Sequence, residues 1–321
     1  VKLEQIGFYT LSDDRAARAS AVTPLSRCEM LLTNRCNFRC PYCRSAGSDD
    51  IEYEEAARIL RIWASHRLFA VRFSGGEPLL YRRLPELVQL SKDLGIKRIA
   101  VSSNGSLPIR KYLELIDAGV NDFSISLDAC CAEDGFQMSG GVVGAWEKVI
   151  ANIELLSQRV YLTVGIVATT NNIRSISNTV AFADTLGVRD IRVIPAAQDG
   201  KVLCSINISQ HLLDRHPILK YRIDNFHSGR MVRGLSDTDN NKCPLVLDDM
   251  AVCGKKHYPC IIYLREGGQA IGVVDETVRQ QRLEWYQNHN THEDPICSHN
   301  CLDVCVDYNN RHRELNKENH E

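Results

Sequence analysis

Three cysteines stand within eight residues, Cys36-Asn-Phe-Arg-Cys40-Pro-Tyr-Cys43, in a C-x3-C-x2-C spacing. Cysteine thiolates are the usual ligands of an iron–sulfur cubane. Three of them on one loop would hold three irons and leave the fourth open to a small molecule. Pro41 keeps the loop out of a helix, so the thiols can converge. The alternative is a zinc knuckle, whose structural form needs a fourth ligand. No other His or Cys stands close by in sequence, which leaves Cys28 or a distant residue to supply it.

The chain has 321 residues and 13 cysteines, an odd number, and they are clustered. Beyond the first triad they gather as Cys243, Cys253 and Cys260, then as Cys297, Cys301 and Cys305. Clustering of this kind favours metal or iron–sulfur ligation over disulfides and suits a reducing cytoplasm. The apolar fraction of 44% and charged fraction of 24% are ordinary for a globular protein. A net charge of −2 gives no reason to expect nucleic acid or an acidic membrane as partner. No apolar run approaches the roughly 18 residues of a membrane span, and no secretory signal opens the chain. A cytoplasmic protein is the expectation.

Elements must position the triad. Strands are expected over 28–33, 70–74, 98–102, 122–127, 160–168 and 190–194, where β-branched residues concentrate. Gly95, Gly119 and Gly187 each close a helical pattern just before a strand, at the position where a left-handed backbone stops a helix. Between strands, Ala56, Ile59, Leu60 and Trp63 make one apolar helical stripe, and Ile173, Ile176, Val180 and Ala183 another. Six alternating strands and helices predict an α/β fold with a parallel sheet. The expected divisions are an extension over 1–27, the α/β domain over 28–200 and a linker or cap over 201–242. A small cysteine-rich domain over 243–306 and a polar tail that frays over 307–321 complete them.

The cysteine motif and three loops resemble the radical S-adenosylmethionine (radical SAM) superfamily. Ser74-Gly75-Gly76-Glu77-Pro78 follows the second strand and is similar to the family's GGEP element, which binds the methionine amino group. Ser102-Ser103-Asn104-Gly105 follows the third and resembles its T-N-G stretch. Ser126-Leu127-Asp128 ends the fourth and resembles the element reaching the cofactor's carboxylate and ribose, and Tyr42 matches an aromatic packing near adenine. All four motifs fall at C-terminal strand ends, the face where parallel barrels keep their active sites. The resemblance implies a partial (βα)6 TIM-type barrel and a [4Fe–4S] cluster with an open iron on Cys36, Cys40 and Cys43. It also implies S-adenosyl-L-methionine held by Tyr42, Gly75, Gly76, Glu77, Pro78, Asn104, Ser126 and Asp128. Reductive cleavage would give a 5′-deoxyadenosyl radical that abstracts hydrogen from a substrate, the electron coming from a flavodoxin- or ferredoxin-type reductant.

The later cysteines resemble, more loosely, the twitch and SPASM auxiliary-cluster domains, with Tyr258-Pro259-Cys260 and the glycine-rich run to Gly272 similar to their hairpin. Six cysteines are too few for two fully ligated cubanes. One auxiliary [4Fe–4S] cluster is expected on Cys243, Cys260, Cys297 and one of Cys301 or Cys305, with Cys253 a further candidate. Cys297, Cys301 and Cys305 would share one side of a helical turn pair, and a zinc ion is the alternative occupant. Cys130, Cys131 and Cys204 are candidate hydrogen donors or small buried hydrophobes. Arg72 would bind an anionic substrate or balance a barrel carboxylate. His289, His292 and His299 are expected at the surface. The barrel resembles the group containing the molybdenum-cofactor cyclase that acts on GTP. Glu29 replaces that enzyme's first-strand arginine, however, and its glycine-glycine tail is missing, which argue against that reaction. With 27 residues before the first strand, no leader-peptide-binding domain is expected. A small-molecule substrate is therefore favoured, with peptide modification the alternative. A non-catalytic electron-transfer protein is the competing class.

Overall fold

The computed structural model describes residues 13–44, 49–197 and 206–318, so Cys204 lies outside the described residues. In chain order the elements begin α1 (Asp13–Arg18), β1 (Arg27–Thr33), α2 (Tyr53–Ser65), β2 (Ala70–Gly75), α3 (Leu84–Asp93), β3 (Arg98–Ser103), α4 (Ile109–Ala118) and β4 (Asp122–Ser126). They continue with α5 (Ala132–Met138), α6 (Ala145–Ser157), β5 (Tyr161–Ala168), α7 (Ile176–Thr185), β6 (Asp190–Pro195), α8 (Gln210–Arg215) and α9 (Pro217–His227). The last are β7 (Asp249–Cys253), β8 (Lys256–Tyr258), α10 (Ile261–Arg265), β9 (Gly272–Val273), α11 (Val278–Asn288), α12 (Pro295–Asn300) and α13 (Asp303–Glu318).

One sheet holds all nine strands in the order β6-β5-β4-β3-β2-β1-β7-β8-β9. The six expected strands pair parallel in sequence order, the α/β arrangement of a partial TIM-type barrel. Helices cover them through apolar stripes, and Ala56, Ile59, Leu60 and Trp63 of α2 are fully buried with Met30, Leu32 and Phe73. Gly95, Gly119 and Gly187 all have positive φ, which ends α3, α4 and α7 where the next strand must begin.

Four expectations change. First, β7 continues the barrel sheet beside β1, in parallel register from Arg27↔Asp249 to Leu31↔Cys253, so the cysteine-rich region is joined to the sheet. Second, the stretch expected as linker or cap supplies α9, which packs on β6 and whose Ile218 amide donates to Asp190 at 3.2 Å. Third, the hairpin is β7–β8, whereas Ile261–Arg265 after Cys260 is helical. Fourth, the tail from 307 belongs to α13, which packs on α1. Its burial explains why polar composition misled: Tyr308 is 1% exposed among Ala16, Ala19 and Leu245. The Tyr308 hydroxyl donates to Asp248 at 3.0 Å, and Arg15 reaches the same carboxylate at 2.5 Å.

Replacing Tyr308 by alanine leaves a cavity and orphans part of this network. Chemical denaturation should show a loss of about 3–5 kcal/mol, whereas a frayed tail would show a change within about 0.5 kcal/mol.

Candidate functional site

Four strand-end segments converge on one cavity of about 260 Å³. Its walls include Cys36, Cys40 and Cys43 with Tyr42, then Gly75 and Gly76, then Asn104, then Ser126 and Asp128. Phe38, Trp146 and Arg265 complete it, the last arriving from α10. Glu77 and Pro78, expected among the contacts, do not line it.

The cysteine loop is seated by backbone contact. Gly76 N donates to Thr33 O at 2.7 Å and Glu77 N to Arg35 O at 2.8 Å. A Cβ on Gly75 would collide with the Thr33 carbonyl, one on Gly76 with that of Arg35, and Gly75 also has φ +140°. On the other flank Arg39 N donates to Ser139 O at 2.9 Å, and a Cβ on Gly140 would strike the Arg39 carbonyl. Glycine is required at each point because two backbones touch there.

Glu77 is fully buried behind the loop. Its carboxylate accepts from Leu79 N at 3.2 Å, Ser103 Oγ at 2.9 Å and Asn104 N at 2.7 Å. Burial pushes its pKa up to about 7 against these donors. Its place is therefore to fix the Asn104 loop against the cysteine loop. Asn104 in turn donates to Asn37 Oδ1 at 2.8 Å and faces Cys36 Sγ at 3.8 Å. Asp128 accepts from Val167 N at 2.7 Å and from the Tyr42 hydroxyl, and burial lifts it to about 6. Cys130 and Cys131 do not line the cavity, and Cys131 is exposed at the start of α5. Neither meets the geometry of a hydrogen donor. Residues further along that helix, Gly135 and Met138, line the cavity instead.

Below the cavity the barrel interior is polar. Glu29 accepts from Ser74 at 2.9 Å, while Arg72 donates to Ser102 at 2.9 Å and reaches Asp122 at 3.5 Å. Asp122 also takes Arg98 at 3.0 Å, so Arg72 lies beside a barrel carboxylate. Arg192, which sequence reasoning did not select, donates to Ser124 and has a buried Nε without a hydrogen-bond partner. Alternation along β6 with Asp190 and Ile194 was the signal available for it.

A second, apolar cavity is lined by Cys243, Cys260, Cys297, Cys301 and Cys305. Cys253 is elsewhere, packed with Leu31, Ala251 and Leu264. The three C-terminal thiols do not share one helix, because α12 ends at Asn300 with Cys301 as its cap and α13 begins at Asp303. They meet across that break. His289, expected at the surface, is half-buried: it stacks on Trp285 with centroids 3.9 Å apart and sets Nε2 3.7 Å from Cys297 Sγ. His292 likewise has a buried Nε2, while His299 is exposed.

Burial pushes the Cys40 and Cys260 thiols up to about 12 and raises those of Cys36, Cys243, Cys297, Cys301 and Cys305. Thiols so placed stay protonated unless a metal takes the proton's place. Thiolates on one zinc would stand about 3.8 Å apart for Zn–S bonds of about 2.3 Å. Among the described residues, the group with ligand atoms all within 4.8 Å is His289, Asp294 and Cys297. Among the described residues, neither cysteine set is gathered that tightly.

Residues 30–183 match the family described as the radical SAM superfamily. A curated relative from Methanocella arvoryzae, a probable GTP 3′,8-cyclase, is 34% identical over 134 residues, 40% of this chain and 43% of that protein. Another of that name from Sulfurisphaera tokodaii is 28% identical over 199 residues, 60% of this chain and 63% of its own. The chain thus spans roughly half the length of these relatives. Native anSMEcpe with bound AdoMet aligns with a TM-score of 0.60 at 15% identity, over 92% of this chain and 95% of that one. SuiB of Streptococcus suis bound to precursor peptide SuiA gives 0.58 at 17%, over 86% and 66%. These two likenesses establish the fold. Among the described residues, no helix is long and apolar enough to cross a membrane.

Two substitutions test the seating of the loop. Glu77→Gln would leave one oxygen where two now accept and turn an NH2 toward at least one backbone donor, and chemical denaturation should show a loss of about 1–3 kcal/mol. Gly75→Ala should leave a folded barrel by circular dichroism yet lower cluster loading by about four irons per chain. Full loading of that variant would show that the contact does not matter.

Proposed function

We propose that this chain, which belongs to the radical SAM superfamily, oxidises a polar small molecule with the help of an auxiliary cluster in the second cavity. As a radical SAM enzyme it uses a [4Fe–4S] cluster and S-adenosylmethionine, which supply one-electron cleavage of a sulfonium and hydrogen abstraction from the substrate. The observation that carries the reading is the cavity itself. Three thiols from one loop share it with three cofactor-like motifs from successive strand ends.

The remaining work falls to side chains of this protein. Cys36, Cys40 and Cys43 would hold the cluster and leave one iron open. Gly75 and Gly76 bring backbone to the cavity wall without side-chain bulk, and Glu77 stiffens that wall from behind. Tyr42 is held by Asp128, which keeps the aromatic ring at the cavity. Ser126 presents a hydroxyl on this wall. Glu29, Ser74 and Ser102 would meet the substrate on the barrel side, above the Arg72 and Arg192 guanidiniums. A floor of hydroxyls and charges suits a polar substrate, because an apolar one would cover polar groups and offer them no hydrogen bonds in exchange for water. The curated relatives carry names of enzymes acting on a nucleotide, which supports the small-molecule side of the reading. A flavodoxin- or ferredoxin-type protein is the proposed electron source.

Net oxidation requires a place for the second electron. The five-cysteine cavity is that place, held by Cys243, Cys260, Cys297 and one of Cys301 or Cys305. Anaerobically reconstituted protein should contain about eight iron and eight sulfide per chain. With dithionite it should convert S-adenosylmethionine into methionine and 5′-deoxyadenosine. Replacing Cys36, Cys40 and Cys43 together by alanine should abolish that conversion and remove half the iron. Turnover undiminished in the triple variant would defeat the assignment, and four iron with one zinc in the parent would remove the auxiliary cluster.

A further inference from the structure

The second cavity holds one thiol too many. A cubane offers four irons, and five cysteines line the space. Hydrogen bonding separates them. Cys260 Sγ accepts from Tyr263 N at 3.4 Å, Cys243 Sγ faces the Asn309 amide nitrogen at 3.6 Å, and Cys297 Sγ faces His289 Nε2 at 3.7 Å. Cys260 and Cys243 thereby have an N–H group to stabilise a thiolate, and Cys297, which also lies within 4.8 Å of an Asp294 carboxylate oxygen, gains one in the His289 tautomer protonated on Nε2. Cys301 has the opposite environment, its sulfur facing the Leu302 carbonyl at 3.9 Å as a donor would. Cys305 packs, as Cys243 also does, against the apolar cluster around Leu245 and Tyr308.

The last two thiols flank the break between α12 and α13. Both lie in the same wall of the cavity, and no residue of that wall belongs to the active-site cavity. We propose that Cys243, Cys260 and Cys297 are the fixed ligands of the auxiliary cluster, and that Cys301 and Cys305 serve its fourth iron interchangeably, one bound and one in reserve. The proposal rests on reading that cavity as a cluster site. Exchange is balanced, since the entering thiol loses the proton that the departing thiolate gains. The consequence is a cluster always closed by four thiolates, able to pass electrons and unable to anchor substrate.

The test uses the Cys36→Ala, Cys40→Ala, Cys43→Ala protein, in which the auxiliary cluster is alone. Iron is counted, and the reduced cluster's electron paramagnetic resonance spectrum is recorded with and without cyanide, a probe for open iron. The background should hold about four iron, with a spectrum that cyanide leaves unchanged. Cys301→Ala and Cys305→Ala, added singly, should each keep the iron and the insensitivity to cyanide. Both together should lose the cluster or make its spectrum respond. If either single substitution acts like the pair, the thiols are not interchangeable and the proposal falls. A response to cyanide in the background, where the cavity is unaltered, overturns it as well and needs no folding control. Absence of the four irons from the background defeats the cluster reading beneath it, a result distinct from the other two.

Discussion

The contact of two backbones, Thr33 to Arg35 against Gly75-Gly76, is the constraint on which the active site depends. The cysteine loop leaves β1 with no secondary structure of its own, and its thiols must still face one point. Hydrogen bonds from Gly76 N and Glu77 N pin its entry. Asn104 and Asn37 pin its middle, and Ser139 holds Arg39 further along. Gly76, Glu77 and Asn104 sit at C-terminal strand ends or just beyond, and Ser139 follows the helix after β4. A parallel sheet delivers them together because all its strands point the same way. Glycine is the price of the closeness, since any side chain at 75 or 76 would push the loop away.

Burial then decides what the thiols can be. Sulfur surrounded by apolar walls keeps its proton, and a protonated thiol is a poor ligand and a poor nucleophile. The second cavity is the stronger case, with Leu235, Leu245, Ile262 and Ile296 around its five cysteines. Either those thiols are inert core residues or a metal group offsets their desolvation. Inert core residues have no use for Asn309, His289 and a helix-capping amide directed at sulfur. The donors therefore favour ligation, and their unequal distribution separates three of the cysteines from the other two.

The barrel and its chemistry were legible in sequence because both leave local marks. A strand followed by Cys36, Gly75, Asn104 or Asp128 declares its C-terminal end, and a glycine before the next strand declares where the helix stops. The rest lacked such marks. Asp249–Cys253 is five residues long, between cysteines and without a preceding crossover helix pattern, so nothing local says that it pairs with β1. Helix α13 is polar over most of its surface, and its docking depends on a few residues such as Tyr308 meeting α1 from nearly 300 residues earlier. Cys253 and Cys260 are seven residues apart and look alike in sequence. A two-residue turn between β7 and β8 sends them to different cores. Likewise, His289 reads as a surface residue until Trp285, one turn earlier on α11, stacks it toward Cys297.

Placing β7 beside β1 has a mechanical consequence for the second cavity. Asp248, just before β7, accepts from Ser26 at 2.6 Å, from Arg15 at 2.9 Å and from Tyr308 at 3.0 Å. One carboxylate thereby ties the start of the barrel, the helix before it and the helix that carries Cys305. Arg27 and Asp249, paired across β1 and β7 at 2.5 Å, reinforce the same seam. Such buried pairs add little net stability over apolar packing, but loss of one partner is costly, so they specify geometry more than they strengthen it. Here the geometry specified is that between β1, which launches the cysteine loop, and the helices that close the second cavity. A hinge between two cysteine centres would let their separation wander. A shared sheet and a buried carboxylate hold it fixed, as an electron relay between them requires.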